Sequence, residues 1–126
     1  MKTLSFDYDE KDELVIVSDA SGVLETLYHI KSMFDKKAWL TENGWTNAKI
    51  NGVRCWYLPE TPAEKAELMV AVHDFYYYQI DNIDMFLDGE RHLAKVDERL
   101  SVLPASDAVA LWNKYAPKEL HKALPA

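Results

Sequence analysis

Residues 61 to 88, TPAEKAELMVAVHDFYYYQIDNIDMFLD, constrain the fold of this chain more than any other stretch. Thr61 can cap a helix, Pro62 sits at its first position and Glu64 falls at the third, which completes a capping box. Asp88-Gly89 supplies a stop, because glycine takes the left-handed conformation that ends many helices. The reading is one long helix. On its wheel Met69, Val72, Tyr76, Ile80, Ile83 and Leu87 form an apolar stripe, widened by Leu68, Phe75 and Phe86. The opposite side carries Glu67, Asp74, Asp81 and Asp88 at seven-residue steps, with Asp84 beside them. One face suits a core and the other is an acidic row.

The N-terminal half reads as strands around a helix. Residues 3 to 8 alternate, with Leu4, Phe6 and Tyr8 on one side, and residues 13 to 18 are rich in β-branched side chains. Together they predict a hairpin whose tip gathers Asp7, Asp9, Glu10, Asp12 and Glu13. Ser18 to Ser21 offers N-caps for a helix over 22–42, in which Val23, Leu27, Ile30 and Phe34 recur at helical spacing and Asn43-Gly44 ends the run. Ile50-Asn51-Gly52-Val53 predicts a second hairpin, since Asn-Gly accepts positive φ at both turn positions. Beyond Gly89, residues 90 to 100 continue the long helix or begin a new one; Leu93, Val96 and Leu100 lie on a different side of the wheel, which favours a break or kink. Pro104 ends that segment, Ser106 caps a last helix carrying Leu111, Trp112 and Tyr115, and Pro117 interrupts it. The expected fold class is α+β: a small antiparallel sheet of two hairpins, with one long and two or three shorter helices packed on it. With no repeat, linker or low-complexity tract, residues 1–126 are expected to form a single domain.

Composition narrows the function classes. No apolar run nears the ~20 residues that span a bilayer, and residues 1 to 7 lack a signal-peptide core. One cysteine, Cys55, cannot bridge internally, which suits a reducing, cytoplasmic setting. The net charge of −7 is uneven: residues 1–30 hold seven acids and two bases, and residues 60–90 hold eight acids and one base. Nucleic acid is a poor partner for such a surface, a basic protein is the natural electrostatic match, and no membrane partner is expected.

Catalytic signatures are missing. The four glycines stand singly at 22, 44, 52 and 89, so there is no phosphate loop or nucleophile elbow. His29, His73, His92 and His121 show no helical metal-site spacing, and His73 reads as a boundary residue. Asp81, Asp84 and Asp88 share one helical face and could hold a divalent cation, but an exposed acidic face is the favoured reading, with no metal or cofactor expected. Cys55 reads as a strand residue without an activating base. Phe75-Tyr76-Tyr77-Tyr78 is the oddity. Rings at helical steps point all round, so Phe75 and Tyr76 fall on the core side while Tyr77 and Tyr78 join the acids, either as exposed contact residues or under another helix of the same domain.

These features predict a non-enzymatic protein-binding module, an inhibitor that occupies a basic, nucleic-acid-binding site on a partner, for instance a phage-type anti-defence protein. Seven residues of helix span roughly 10.5 Å, a distance of the same order as phosphate separations, so an acidic row can act as a nucleic-acid mimic. The expected contact residues are Asp74, Tyr77, Tyr78, Asp81, Asp84, Asp88 and Glu67, with Asp7, Asp9, Glu10 and Asp12 as a second patch. The alternatives are an immunity or antitoxin protein against a basic toxin, a self-associating structural protein, and a small enzyme whose site assembles only in the fold.

Overall fold

The computed structural model describes residues 1–9, 11, 14–27 and 30–123. The chain divides into two compact units, Met1–Glu60 and Thr61–Ala126. Among the described residues the fold is α+β, with a five-stranded antiparallel sheet and four α-helices.

The first unit holds the sheet. Its strands are β1 (Lys2–Asp9), β2 (Leu14–Asp19), β3 (Gly22–Leu27), β4 (Thr46–Ile50) and β5 (Val53–Leu58), in the order β3-β2-β1-β5-β4. The register pairs Phe6 with Val17 and Tyr8 with Val15. Residues two apart share a face, so Leu4 and Phe6 join Val15 and Val17 on one side. Helix α1 (Ile30–Glu42) covers that side, and Leu40, Leu4, Val15, Val17, Leu27 and Trp56 form its core, flanked by Met33, Phe6 and Trp45. Val15 and Leu40 are wholly buried, each worth about 1.5–3 kcal/mol relative to exposure.

Two turns behave as the sequence implies. Asn51 (φ 52°) and Gly52 (φ 81°) close the β4–β5 hairpin with Ile50 opposite Val53. Gly44 (φ 88°) ends α1, and the Trp45 amide donates to the Leu40 carbonyl at 2.9 Å.

The helix expected over 22–42 is shorter, and its first six residues are strand β3. The hydroxyl and amide of Ser21 both donate to the Asp19 carboxylate, so the predicted cap residues close a β2–β3 turn instead of opening a helix. Most of β3 is exposed and only Leu27 is buried, so its side chains lack the in-out alternation that identifies a strand. Phe34, read as inward, is exposed, and Leu40 takes the core position.

The second unit is helical. It contains α2 (Pro62–Ala71), a 3-10 turn (Tyr77–Gln79), α3 (Ile83–Leu100), α4 (Ala105–Tyr115) and a second 3-10 turn (Lys118–Leu120). Its core joins Ala66, Val70, Phe75, Val96, Leu100, Trp112 and Ala116. Thr61 caps α2 as expected, accepting from the Glu64 amide at 3.1 Å, with Pro62 next to it. Helix α4 starts at Ala105 behind Pro104, with no side-chain cap, rather than behind Ser106. The Trp112 indole donates to the Leu120 carbonyl at 2.7 Å and ties the following segment to α4.

The single helix over 61–88 is not formed. Helix α2 stops at Ala71 and α3 begins at Ile83, so residues 72 to 82 are a connector. Asp74 explains part of the break, because its carboxylate accepts the Tyr76 amide at 3.0 Å and competes with helical bonding. Asn82 explains the restart: its side chain accepts from the Asp84 and Met85 amides at 3.0 and 3.1 Å. Gly89 lies inside α3 and stops nothing. The inner face of α3 carries Phe86, Gly89, Leu93, Val96 and Leu100, none of them exposed, which is why Leu93, Val96 and Leu100 left the earlier stripe. No helix among the described residues is long and apolar enough to cross a membrane.

Candidate functional site

The connector between α2 and α3 alternates strictly. His73, Phe75 and Tyr77 are buried, and Val72, Asp74, Tyr76 and Tyr78 are exposed. A continuous helix would have turned four successive rings through the full circle and left Tyr77 in water. Breaking the helix buries Phe75 and Tyr77 together.

Tyr77 is therefore a core residue, a correction to its expected surface role. Its ring lies on the α3 backbone at Gly89, where an added Cβ would fall 2.2 Å from the ring. Its hydroxyl donates to Glu90 Oε1 at 2.8 Å. Burial, then this carboxylate, pushes its phenol above the ordinary range.

His73 and His92 meet beside it, with their Nδ1 atoms 2.8 Å apart. The ring planes are inclined by 9° and the centroids lie 5.0 Å apart. That centroid separation is about the nitrogen separation plus the two ring radii, so the rings meet edge to edge in nearly one plane. One Nδ1 carries a proton and donates; the other accepts. Burial lowers both imidazoles below their ordinary pKa, helped by mutual repulsion at His73 and by Lys95 at His92; Asp74 and Asp97 pull His73 the other way. His73, Asp74, Tyr77, Asp88 and His92 line a cleft of about 270 Å³ with Val72, Ile80, Met85 and Gly89. Sequence spacing gave no sign of this pair, which is 19 residues apart and depends on the connector doubling back. Among the described residues, no three His, Cys, Asp or Glu side chains are grouped to hold a metal ion.

The acidic residues do not form the expected row. Asp74 and Asp81 lie in the connector, Asp84 in the first turn of α3 and Asp88 one turn on, all exposed. The seven-residue spacing holds along the sequence but describes no single helix face. Among the described residues, Asp74, Asp81 and Asp84 make no ion pair. Asp88 pairs with Arg91 at 2.8 Å, a contact exposed on both sides and so of little energetic weight. Glu67 stands apart in α2, about one-third exposed, where Lys114 donates to it at 2.7 Å and Tyr115 at 2.8 Å. Those two bonds, Lys114 first, hold its carboxyl below the usual range. It is already occupied within the fold.

Apolar side chains fill the gaps between the carboxylates. Val72, Tyr76, Ile83 and Leu87 belong to the expected core stripe, yet all are exposed, and Ile83 is 68% exposed. Tyr78 and Met85 are exposed as well. The Asn82 cap, legible as Asn followed two residues later by Asp, is the signal that could have moved Ile83 and Leu87 out of the core.

The second patch belongs to the first unit. Asp7 is exposed on β1, opposite Ile16 of β2, and Asp9 ends that strand. Glu10 and Asp12 lie outside the described residues. Cys55 is half-buried on β5, its thiol directed at the Leu4 carbonyl at 2.9 Å, and burial pushes its pKa up. The first unit also has a cleft of about 650 Å³ between α1 and the sheet, walled by Leu4, Val17, Leu24, Trp39 and Trp45.

No protein-family model matches the chain, and comparisons with curated proteins and with solved structures return no significant match.

Proposed function

We propose that this chain is a non-enzymatic protein-docking module whose contact surface is the α2–α3 connector and the first turns of α3. The observation that carries the reading is the interleaving there of six exposed apolar side chains with four exposed carboxylates. Val72, Tyr76, Tyr78, Ile83, Met85 and Leu87 supply apolar contact area; Asp74, Asp81, Asp84 and Asp88 supply the charge. Large apolar side chains grouped this way mark interaction surfaces, and tyrosine gives area at small entropy cost. The complementary partner is a protein with a basic surface and an apolar recess. Nucleic-acid-binding sites have the basic character, so inhibition of such a protein is the concrete form of the proposal. Spacing that copies phosphates is not part of the case, because the acids follow no single helix.

The test is capture from lysate with the wild-type chain and with a variant carrying Asp74→Asn, Asp81→Asn, Asp84→Asn and Asp88→Asn. The reading expects basic proteins that bind the wild type at low salt, are released at high salt, and bind the variant at least about tenfold more weakly. Equal capture by both chains, with the variant folded, would overturn it.

The histidine-lined cleft supports a second reading, general acid–base chemistry by His73 or His92 with Asp74 or Asp88 beside them. An activity screen separates the two: turnover abolished by His73→Asn, with capture of basic proteins unchanged, would favour the enzyme.

A further inference from the structure

The pairing of His73 with His92 has a consequence for the connector. Two neutral imidazoles facing each other through Nδ1 hold one proton between them. The pair can take one more proton at the outer Nε2 of the donor ring and keep its bond, since the other Nδ1 still accepts. A second proton has only the accepting Nδ1 left to occupy. That would set two N–H groups head to head across 2.8 Å and two positive rings side by side. The bond cannot survive it.

We propose that the His73–His92 pair is an acid-opened latch that holds residues 72 to 82 against α3 and releases them when both rings are protonated. The lever is short. His73 follows the last residues of α2, its amide bonded to the Val70 carbonyl at 3.1 Å, and His92 lies one turn beyond Gly89 on α3. Between them Tyr77 rests on Gly89 and bonds Glu90, so the latch and this contact close the same seam. His73 also packs edge-on against Phe75 and Tyr77, at centroid distances of 5.1 and 5.6 Å, which links its position to both buried rings.

The charges around the pair come from each neighbouring element. Asp74 on the connector and Asp97 on α3 favour protonation of His73, and Lys95 on α3 opposes it at His92. Asp88 lines the cleft but is paired with Arg91, and Glu90 is bonded by Tyr77. Helix α4 presents the Trp112 ring, 6.3 Å from His73. Both imidazoles titrate below their ordinary value in the folded chain, so the unfolded chain takes up protons first on acidification. The latch therefore stabilises the unit above pH about 6.5 and its contribution is lost as the pH falls below that. The outward residues of the connector include Asp74, Tyr76, Tyr78 and Asp81, so opening would rearrange the docking surface; that consequence alone rests on the proposed function.

The test needs no partner. Ring nitrogen shifts of His73 and His92 in the full chain are followed by NMR from pH 8 to 4.5, with amide exchange measured alongside. The latch predicts a coupled two-step titration of the pair. It also predicts that protection of the Gln79 and Ile80 amides, corrected for intrinsic exchange, falls at least about tenfold across the second step. His92→Asn keeps a polar partner near the Nδ1 position and cannot be protonated, so its connector should keep that protection to lower pH. Independent titrations near pH 6.5 with unchanged connector protection would overturn the proposal. So would an acid loss of protection in the wild type that His92→Asn reproduces unchanged.

Discussion

At Gly89 the ring of Tyr77 lies where any other residue would carry its Cβ. Alanine favours a helix interior over glycine by about 1 kcal/mol, so on propensity alone Gly89→Ala should stabilise α3. The clash with buried Cγ, Cβ and Cδ2 atoms of Tyr77 outweighs that gain, because the ring is fixed by its bond to Glu90 and cannot swing aside cheaply. Gly89→Ala should therefore lower stability by about 1–3 kcal/mol, measured as a fall in the urea midpoint. A rise would show that the ring does not rest there. The same glycine marks the limit of reading residues singly. Asp-Gly after an apolar stripe signals a helix end as readily as a close approach, and only the position of Tyr77 decides between them. Glu67 offers a pH test at this scale. Its carboxyl is held low by Lys114 and Tyr115, so its contribution is present above the unfolded carboxylate pKa and is lost as the pH falls through its depressed value. Glu67→Gln should flatten the acid slope of stability below pH about 4.5, by a modest amount given its partial exposure.

The elements differ in how much of each is written locally. Thr61-Pro62 and Asn51-Gly52 require specific backbone geometry at one point, and both formed as their residues imply. The break over 72–82 was hidden because Met69, Ile80, Ile83 and Leu87 keep helical spacing across it by coincidence. Its causes are two short polar side chains, Asp74 and Asn82, which bond the backbone of their own neighbours. Strand β3 was hidden for the opposite reason: an exposed edge strand has little burial pattern to show. The Asn82 cap is the more consequential of these, since it sets where α3 starts and which residues face outward. Asn82→Ala should cost about 1 kcal/mol, and Asn82→Asp should retain most of that. Thermal unfolding of the two variants would check it; an Asn82→Ala chain as stable as the wild type would mean that the cap bonds contribute nothing.

For the whole molecule, class was more legible than surface. Alternation in β1 and β2, the Asn-Gly turn and the capped helices are enough to give an α+β protein. The candidate surface is legible in its carboxylates but not in its apolar half, because helical periodicity places Val72, Tyr76, Ile83 and Leu87 on a core stripe. The same periodicity places Tyr76 inside and Tyr77 outside, the reverse of their burial. The histidine pair could not be read at all, since contacts between residues distant in sequence exist only once the connector is folded. The connector turns Tyr77 inward and leaves Tyr76 and Tyr78 exposed, where the proposed partner would cover them. Tyrosine nitration read by mass spectrometry measures this most directly, in the free chain and in the complex captured at low salt. Tyr76 and Tyr78 should react in the free chain while Tyr77 is spared, and capture should protect both, leaving Tyr8 on β1 unchanged. Nitration of Tyr77 in the folded free chain, or equal labelling of Tyr76 and Tyr78 with and without the partner, would contradict it.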